Sequence, residues 1–128
     1  MSKKRILAVD DTPEILELLK LLLTENGFEV VTAGDGIEAL ESVRKKDNLP
    51  DLILLDLMLP RLDGYKVCRR LKYSKEYKQI PIIMLSGLSE SRDKLLGLAS
   101  EANDYMTKPF QPEELLQKIK KLLCQEAK

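Results

Sequence analysis

The chain has 128 residues, 44% hydrophobic and 33% charged, which is the composition of one globular domain large enough for a real core. Lysine plus arginine and aspartate plus glutamate both number 21, so no basic excess recommends nucleic acid or an acidic membrane as a direct partner. Histidine is absent, which excludes a histidine general base, metal ligand or phosphoryl carrier within the chain.

Lys3-Lys4-Arg5 and the apolar Ile6 to Val9 stop at two aspartates, too short a run for a signal peptide. No stretch elsewhere is long enough to cross a membrane, and a cytoplasmic protein is expected. Cys68 and Cys124 lack a metal-ligand spacing and read as reduced, mostly packed thiols. Small basic clusters such as Arg44 to Lys46 and Arg69 with Arg70 are interspersed with acids and read as solvated faces.

In chain order, Ile6 to Val9 predicts a short strand ending at Asp10-Asp11. Asp11 or Thr12 can cap a following helix, with Pro13 in its first turn. Ile15, Leu18, Leu19, Leu22 and Leu23 form its apolar stripe, and Asn26-Gly27 stops it. Phe28 to Ala33, with Val30, Val31 and Thr32, predicts a second strand. Asp35 with Glu38 resembles a capping box for a helix over 36–46.

Leu52 to Leu55 are consecutive apolar residues bounded by charge and proline, too few for a helix. They predict a strand buried on both faces, ending in Asp56. After Pro60 to Gly64 a helix through about Tyr73 turns Val67 and Leu71 inward. Ile80 to Leu85 predicts a fourth strand, with Pro81 at its start and Ser86-Gly87 at its end. A helix over 89–100 is expected to be the weakest, because Gly97 costs about 1 kcal/mol relative to alanine. Asn103 to Thr107 predicts a short last strand before Lys108-Pro109. A final helix opens at Gln111-Pro112-Glu113-Glu114 with acids at its positive end, and its stripe is Leu115, Ile119, Leu122 and Leu123.

Strict alternation of strand and helix predicts an α/β fold: a doubly wound, five-stranded parallel sheet of flavodoxin-like order 2-1-3-4-5, with five helices on its two faces. No repeat, linker or low-complexity segment divides residues 1–128. In such sheets ligands bind at the carboxyl ends of the strands. Asp10, Asp11, Asp56, Ser86 and Lys108 all fall there. Converging carboxylates call for a hard divalent cation, and oxygen ligands with room for water suit Mg²⁺. Lys108 adds a positive charge and Ser86 a hydroxyl, which makes a site for a phosphoryl group. An aspartate in its ordinary range, near about 3.9, is ionised at neutral pH, so Asp56 needs no general base to attack phosphorus.

Val9-Asp10-Asp11, Leu54 to Pro60 with Asp63-Gly64, Met84 to Gly87, and Asp104 to Phe110 together resemble the response-regulator receiver domain of two-component signalling, over essentially the whole chain. The resemblance implies that Asp56 is phosphorylated, to a 4-aspartylphosphate, by the phosphohistidine of a histidine kinase or phosphotransfer protein. It implies Mg²⁺ on Asp11, Asp56 and the Met58 carbonyl, with Asp10 acting mostly through water. Ser86 and Tyr105 fall at the family's switch positions, Lys108 at its lysine, and Lys108-Pro109 is expected to be cis. Apolar Met58 and Leu88 beside the phosphoryl group imply slow hydrolysis. Signal is expected to leave through the face formed by residues 89–124, for self-association or an effector. Glu101 departs from the family, where glycine often stands, and costs about 1 kcal/mol if a left-handed conformation is needed.

Two rivals remain open. A Mg²⁺-dependent phosphohydrolase also uses an aspartate nucleophile, but its usual acid/base aspartate two residues on is here Met58. A degenerate receiver acting as a binding module is opposed by every acidic and basic position being filled. The chain stops about where the last helix stops, so it reads as a stand-alone regulator or as one domain of a longer one.

Overall fold

Strand residues here are apolar on both sides, so they need cover on both sides. The structure, a computed structural model, describes residues 3–45, 49–57, 59–86 and 102–126. Its strands are β1 (Arg5–Val9), β2 (Glu29–Ala33), β3 (Leu52–Asp56), β4 (Ile82–Ser86) and β5 (Asp104–Thr107). The helices among the described residues are α1 (Pro13–Glu25), α2 (Gly36–Arg44), α3 (Gly64–Lys72) and α4 (Pro112–Glu126). The helix expected over 89–100 lies outside the described residues. All strand pairs are parallel, in the order β2-β1-β3-β4-β5.

Alternation along each strand feeds two cores. Leu7, Val9, Ile53, Leu55 and Met84 pack under α2 and α3. Ile6, Ala8, Leu52, Leu54 and Ile83 pack under α1 and α4. β3 lies between β1 and β4, and all five of its residues are buried.

Local chemistry sets the helix ends. Asp35 Oδ1 accepts from the Glu38 amide at 2.8 Å, and Glu38 reaches back to the Gly34 amide at 3.1 Å. Asp63 caps α3 in the same way, through the Lys66 amide at 2.9 Å. Thr12 is the cap position of α1 but makes no side-chain cap bond; Pro13 begins the helix.

Four expectations are corrected. Leu18 does not join the buried stripe of α1: it is 57% exposed, while Leu16 packs against the core. The helix meets the sheet along Leu19 and Leu23, and Leu18 looks into an open groove beside Phe110. Cys124 is exposed on α4, whereas Cys68 is buried as expected. α2 ends at Arg44 rather than 46, and β4 begins at Ile82, after the proline.

Leu54→Ala, in the strand covered on both faces, is expected to lower the unfolding free energy by about 2–5 kcal/mol. Leu21→Ala, at a position 60% exposed, is expected to change it by less than about 0.5 kcal/mol. Urea melts followed by circular dichroism measure both, and equal losses would contradict the two-core packing.

Candidate functional site

β1 and β3 are neighbours in the sheet, so their carboxyl ends meet. The β1–β2 ladder runs one residue past Val9, with the Asp10 amide donating to Ala33 O at 3.1 Å. Asp10 is fully buried; its Oδ1 accepts from the Thr12 amide at 2.9 Å. Asp56 ends β3 opposite Leu85, and the Leu57 amide donates to Leu85 O at 2.8 Å. It too is buried. Asp11 stands exposed at the mouth. One carboxylate oxygen from each of Asp10, Asp11 and Asp56 lies within 4.8 Å of the others.

Lys108 arrives from the end of β5, its amide donating to Ser86 O at 2.7 Å. Its Nζ sits 2.7 Å from Asp10 Oδ2 and 3.3 Å from Asp56 Oδ2. Burial pulls the ammonium pKa down, but the hydrogen bond it donates to Asp10 and the charge of Asp56 outweigh it and leave the pKa raised. Lys108 is therefore a cation at neutral pH. Ser86 is buried, and its Oγ has no hydrogen-bond partner among the described residues. A buried hydroxyl without a partner is costly unless something arrives to accept from it.

The structure thus brings Asp10, Asp11, Asp56, Ser86 and Lys108 to one edge. Tyr105 lies further down β5, opposite Met84, and is 40% exposed. The Lys108–Pro109 peptide is cis. Met58, Leu88 and Glu101 lie outside the described residues. The all-oxygen donor set, two of its members buried, fits a hard divalent cation. The orphaned Ser86 hydroxyl fits an anionic group beside it.

Sequence reasoning missed a neighbouring feature. An apolar groove of about 380 Å³ runs beside Lys108, between Ile15, Leu18 and Leu22 of α1 and Pro109, Phe110 and Pro112. Its signal was present: Leu18 and Leu21 give α1 more apolar residues than one buried stripe can use.

The response regulator receiver domain model matches residues 6–120. The alkaline phosphatase synthesis transcriptional regulatory protein PhoP of Bacillus subtilis is 48% identical over 120 residues, which cover 94% of this chain and 48% of that protein. The DNA-binding response regulator MtrA of Mycolicibacterium smegmatis is 44% identical over 118 residues, 92% of this chain and 50% of its own length. The chain spans about half the length of these curated relatives. Among solved structures, the receiver domain of sensor histidine kinase PA1611 from Pseudomonas aeruginosa, with a magnesium ion coordinated in its active site cleft, superposes with a TM-score of 0.85 at 31% identity. That match covers 95% of this chain and 98% of the other. The Francisella response regulator 1452 receiver domain gives 0.84 at 35% identity, covering 96% and 98%. The chain belongs to the response regulator receiver domain family.

Proposed function

We propose that residues 1–128 form one receiver domain in which Asp56 accepts a phosphoryl group from a phosphohistidine of a histidine kinase or phosphotransfer protein. The observation that carries this reading is the buried Asp56 carboxylate, grouped with Lys108 and two further aspartates at the strand edge where Ser86 also ends, its hydroxyl unpartnered among the described residues. An Asp56 oxygen bonds to phosphorus as the phosphorus–nitrogen bond breaks, and that electron pair leaves with the imidazole nitrogen. The chain promotes only its own phosphorylation and dephosphorylation and turns over no separate substrate.

Lys108 stabilises the transferred oxygens, and its contact with Asp10 aims the ammonium. Asp11, Asp56 and the Met58 carbonyl, with Asp10 through water, would hold Mg²⁺, which would supply the charge that offsets carboxylates and phosphoryl oxygens together. Ser86 donates its hydroxyl to the new anion, and Tyr105 turns inward beside β4. The face formed by residues 89–124 then passes the signal to an effector or to a second copy. The magnesium in the PA1611 receiver and the names of the DNA-binding relatives support a Mg²⁺-dependent regulatory role. A cytoplasmic setting suits the free thiols of Cys68 and Cys124. Among the described residues no helix is long and apolar enough to cross a membrane.

The groove beside Lys108 gives the phosphodonor a place to dock. A donor helix seated on Leu18 and Phe110 would bring its phosphohistidine over Asp56.

With a small phosphodonor and Mg²⁺, stoichiometric base-labile labelling is expected. Asp56→Asn should abolish it, and Asp11→Ala should weaken Mg²⁺ binding at least about tenfold with the fold retained, a loss of more than about 1.4 kcal/mol. Persistent labelling of the Asp56→Asn variant would move the acceptor elsewhere.

Leu18→Glu is expected to slow transfer from the cognate kinase at least about tenfold, the scale of an interface anchor lost, while leaving labelling by the small donor within about twofold. Equal loss with both donors would place the effect in the chemistry.

Phosphorylation is expected to change amide hydrogen exchange mainly in residues 86–108, with α1 and α2 nearly unchanged. A uniform change across the domain would rule out the Ser86–Tyr105 route.

A further inference from the structure

Between Asp56 and α3 the chain makes a tight loop whose tip and far end are both pinned. At the far end Gly64 lies on the main chain of Asp56. A Cβ there would fall 2.1 Å from the Asp56 carbonyl oxygen and 2.9 Å from Leu57 Cα. The Gly64 amide donates back to Leu57 O at 2.9 Å, closing the loop on its own start.

At the tip the Leu62 amide donates to Pro60 O at 2.7 Å, across Arg61, whose φ is +67°. A hydrogen bond spanning one residue, with positive φ at the centre, marks the rarer and more strained γ-turn. Arg61 is the one non-glycine residue with positive φ among the described residues. Such a conformation persists only where the surroundings over-determine it.

The start of α2 supplies those surroundings. A Cβ on Gly36 would fall 2.0 Å from Leu62 O, so a bare glycine is what lets the turn seat there. Arg61 Nε lies 3.4 Å from Asp35 Oδ2, while the other Asp35 oxygen caps α2. The arginine side chain is 58% exposed, so this pair is screened and holds the turn weakly. Shape does more than charge here.

We propose that this γ-turn, seated on Gly36, is a strut that sets the backbone of Asp56, and that Arg61 and Gly36 are positioning residues for phosphoryl transfer. The inference rests on Asp56 being the acceptor. If the turn opens, Gly64 loses its fixed seat against the Asp56 carbonyl, and the carboxylate shifts relative to Lys108 and Asp11. In-line attack is sensitive to displacements of about 1 Å. Residue 61 therefore acts through its left-handed backbone and not through its guanidinium.

A series at position 61 separates these roles: Arg61→Gly, Arg61→Asn, Arg61→Lys and Arg61→Val. Glycine and asparagine accept positive φ without the charge, lysine keeps the charge, and valine resists positive φ. Labelling by acetyl phosphate across a Mg²⁺ titration is expected to stay within about twofold for the first three. It should fall at least about tenfold for valine. The Arg61→Val urea midpoint should fall less than that of Leu54→Ala, because Leu62 packs only at the rim of one core while the buried strands stay covered. In the Mg²⁺-free protein the Asp56 and Leu57 amide resonances should move in the valine variant and not in the glycine variant. Should Arg61→Val fail to fold, Arg61→Thr, β-branched like valine, takes its place with an effect in the same direction.

Loss in the glycine and asparagine variants with retention in lysine would mean an ionic role and overturn the proposal. So would a valine or threonine variant with wild-type labelling and unmoved Asp56 resonances. A wild-type chain that fails to label would count against Asp56 as acceptor, while the amide resonances would still decide the strut.

Discussion

Two buried carboxylates side by side are the constraint on which this molecule turns. At a separation of 4.8 Å, two unit negative charges repel by about 3.5 kcal/mol at an effective dielectric near 20. Asp10 and Asp56 sit within that distance, both in the protein interior. Lys108 reaches both and is the counter-charge that makes the arrangement tolerable. It comes from the opposite end of the chain, so the site exists only when the β1, β3 and β5 ends have been assembled. Strand order and site are one constraint, because β1 and β3 are brought side by side by the reversal of winding between them.

Much of this was legible in the residues. Apolar runs as short as Leu52 to Leu55 can be covered on both faces only in a parallel sheet, and the site residues follow each run directly. The Asp35 cap was equally plain, being a local hydrogen bond three residues long. What escaped was non-local. Leu18 and Leu21 exceed what one buried stripe can use, but the surplus does not say which leucine the sheet leaves uncovered, since that depends on where Phe110 ends up. Nothing near Gly36 says that Leu62 O will rest on it. Arginine is a poor signal for positive φ, so the turn at Arg61 is invisible until its surroundings are known. No local pattern shows that Asp10 bonds directly to Lys108, a contact that spans almost the whole chain.

The amino-terminal edge of the sheet is built to the opposite plan. Arg5 exchanges hydrogen bonds with Asp51, its amide to the carboxylate at 2.7 Å and its carbonyl from the Asp51 amide at 2.7 Å, and its guanidinium pairs with Glu29. Lys72 donates to Ile80 O at 2.9 Å and to Asn103 Oδ1 at 2.6 Å, and the same Asn103 oxygen accepts from the Ile82 amide at 2.9 Å. These bonds tie the end of α3 to the starts of β4 and β5. Each is between groups of opposite or neutral character. None asks a like charge to stay close.

Stability and reactivity are therefore held at opposite ends of the same strands. A strand is a stiff element, so anchoring its amino end fixes where its carboxyl end delivers Asp56 or Lys108. The unfavourable features gather at the other end: like charges together, a hydroxyl without a partner among the described residues, a γ-turn on an arginine. Strain of this kind is tolerated because the satisfied edge and two cores hold it in place. An arriving anion and its cation would relieve the first two. A bound group shifts the surface only by as much as it favours one arrangement over another, and the relief of these two features is one source of that difference.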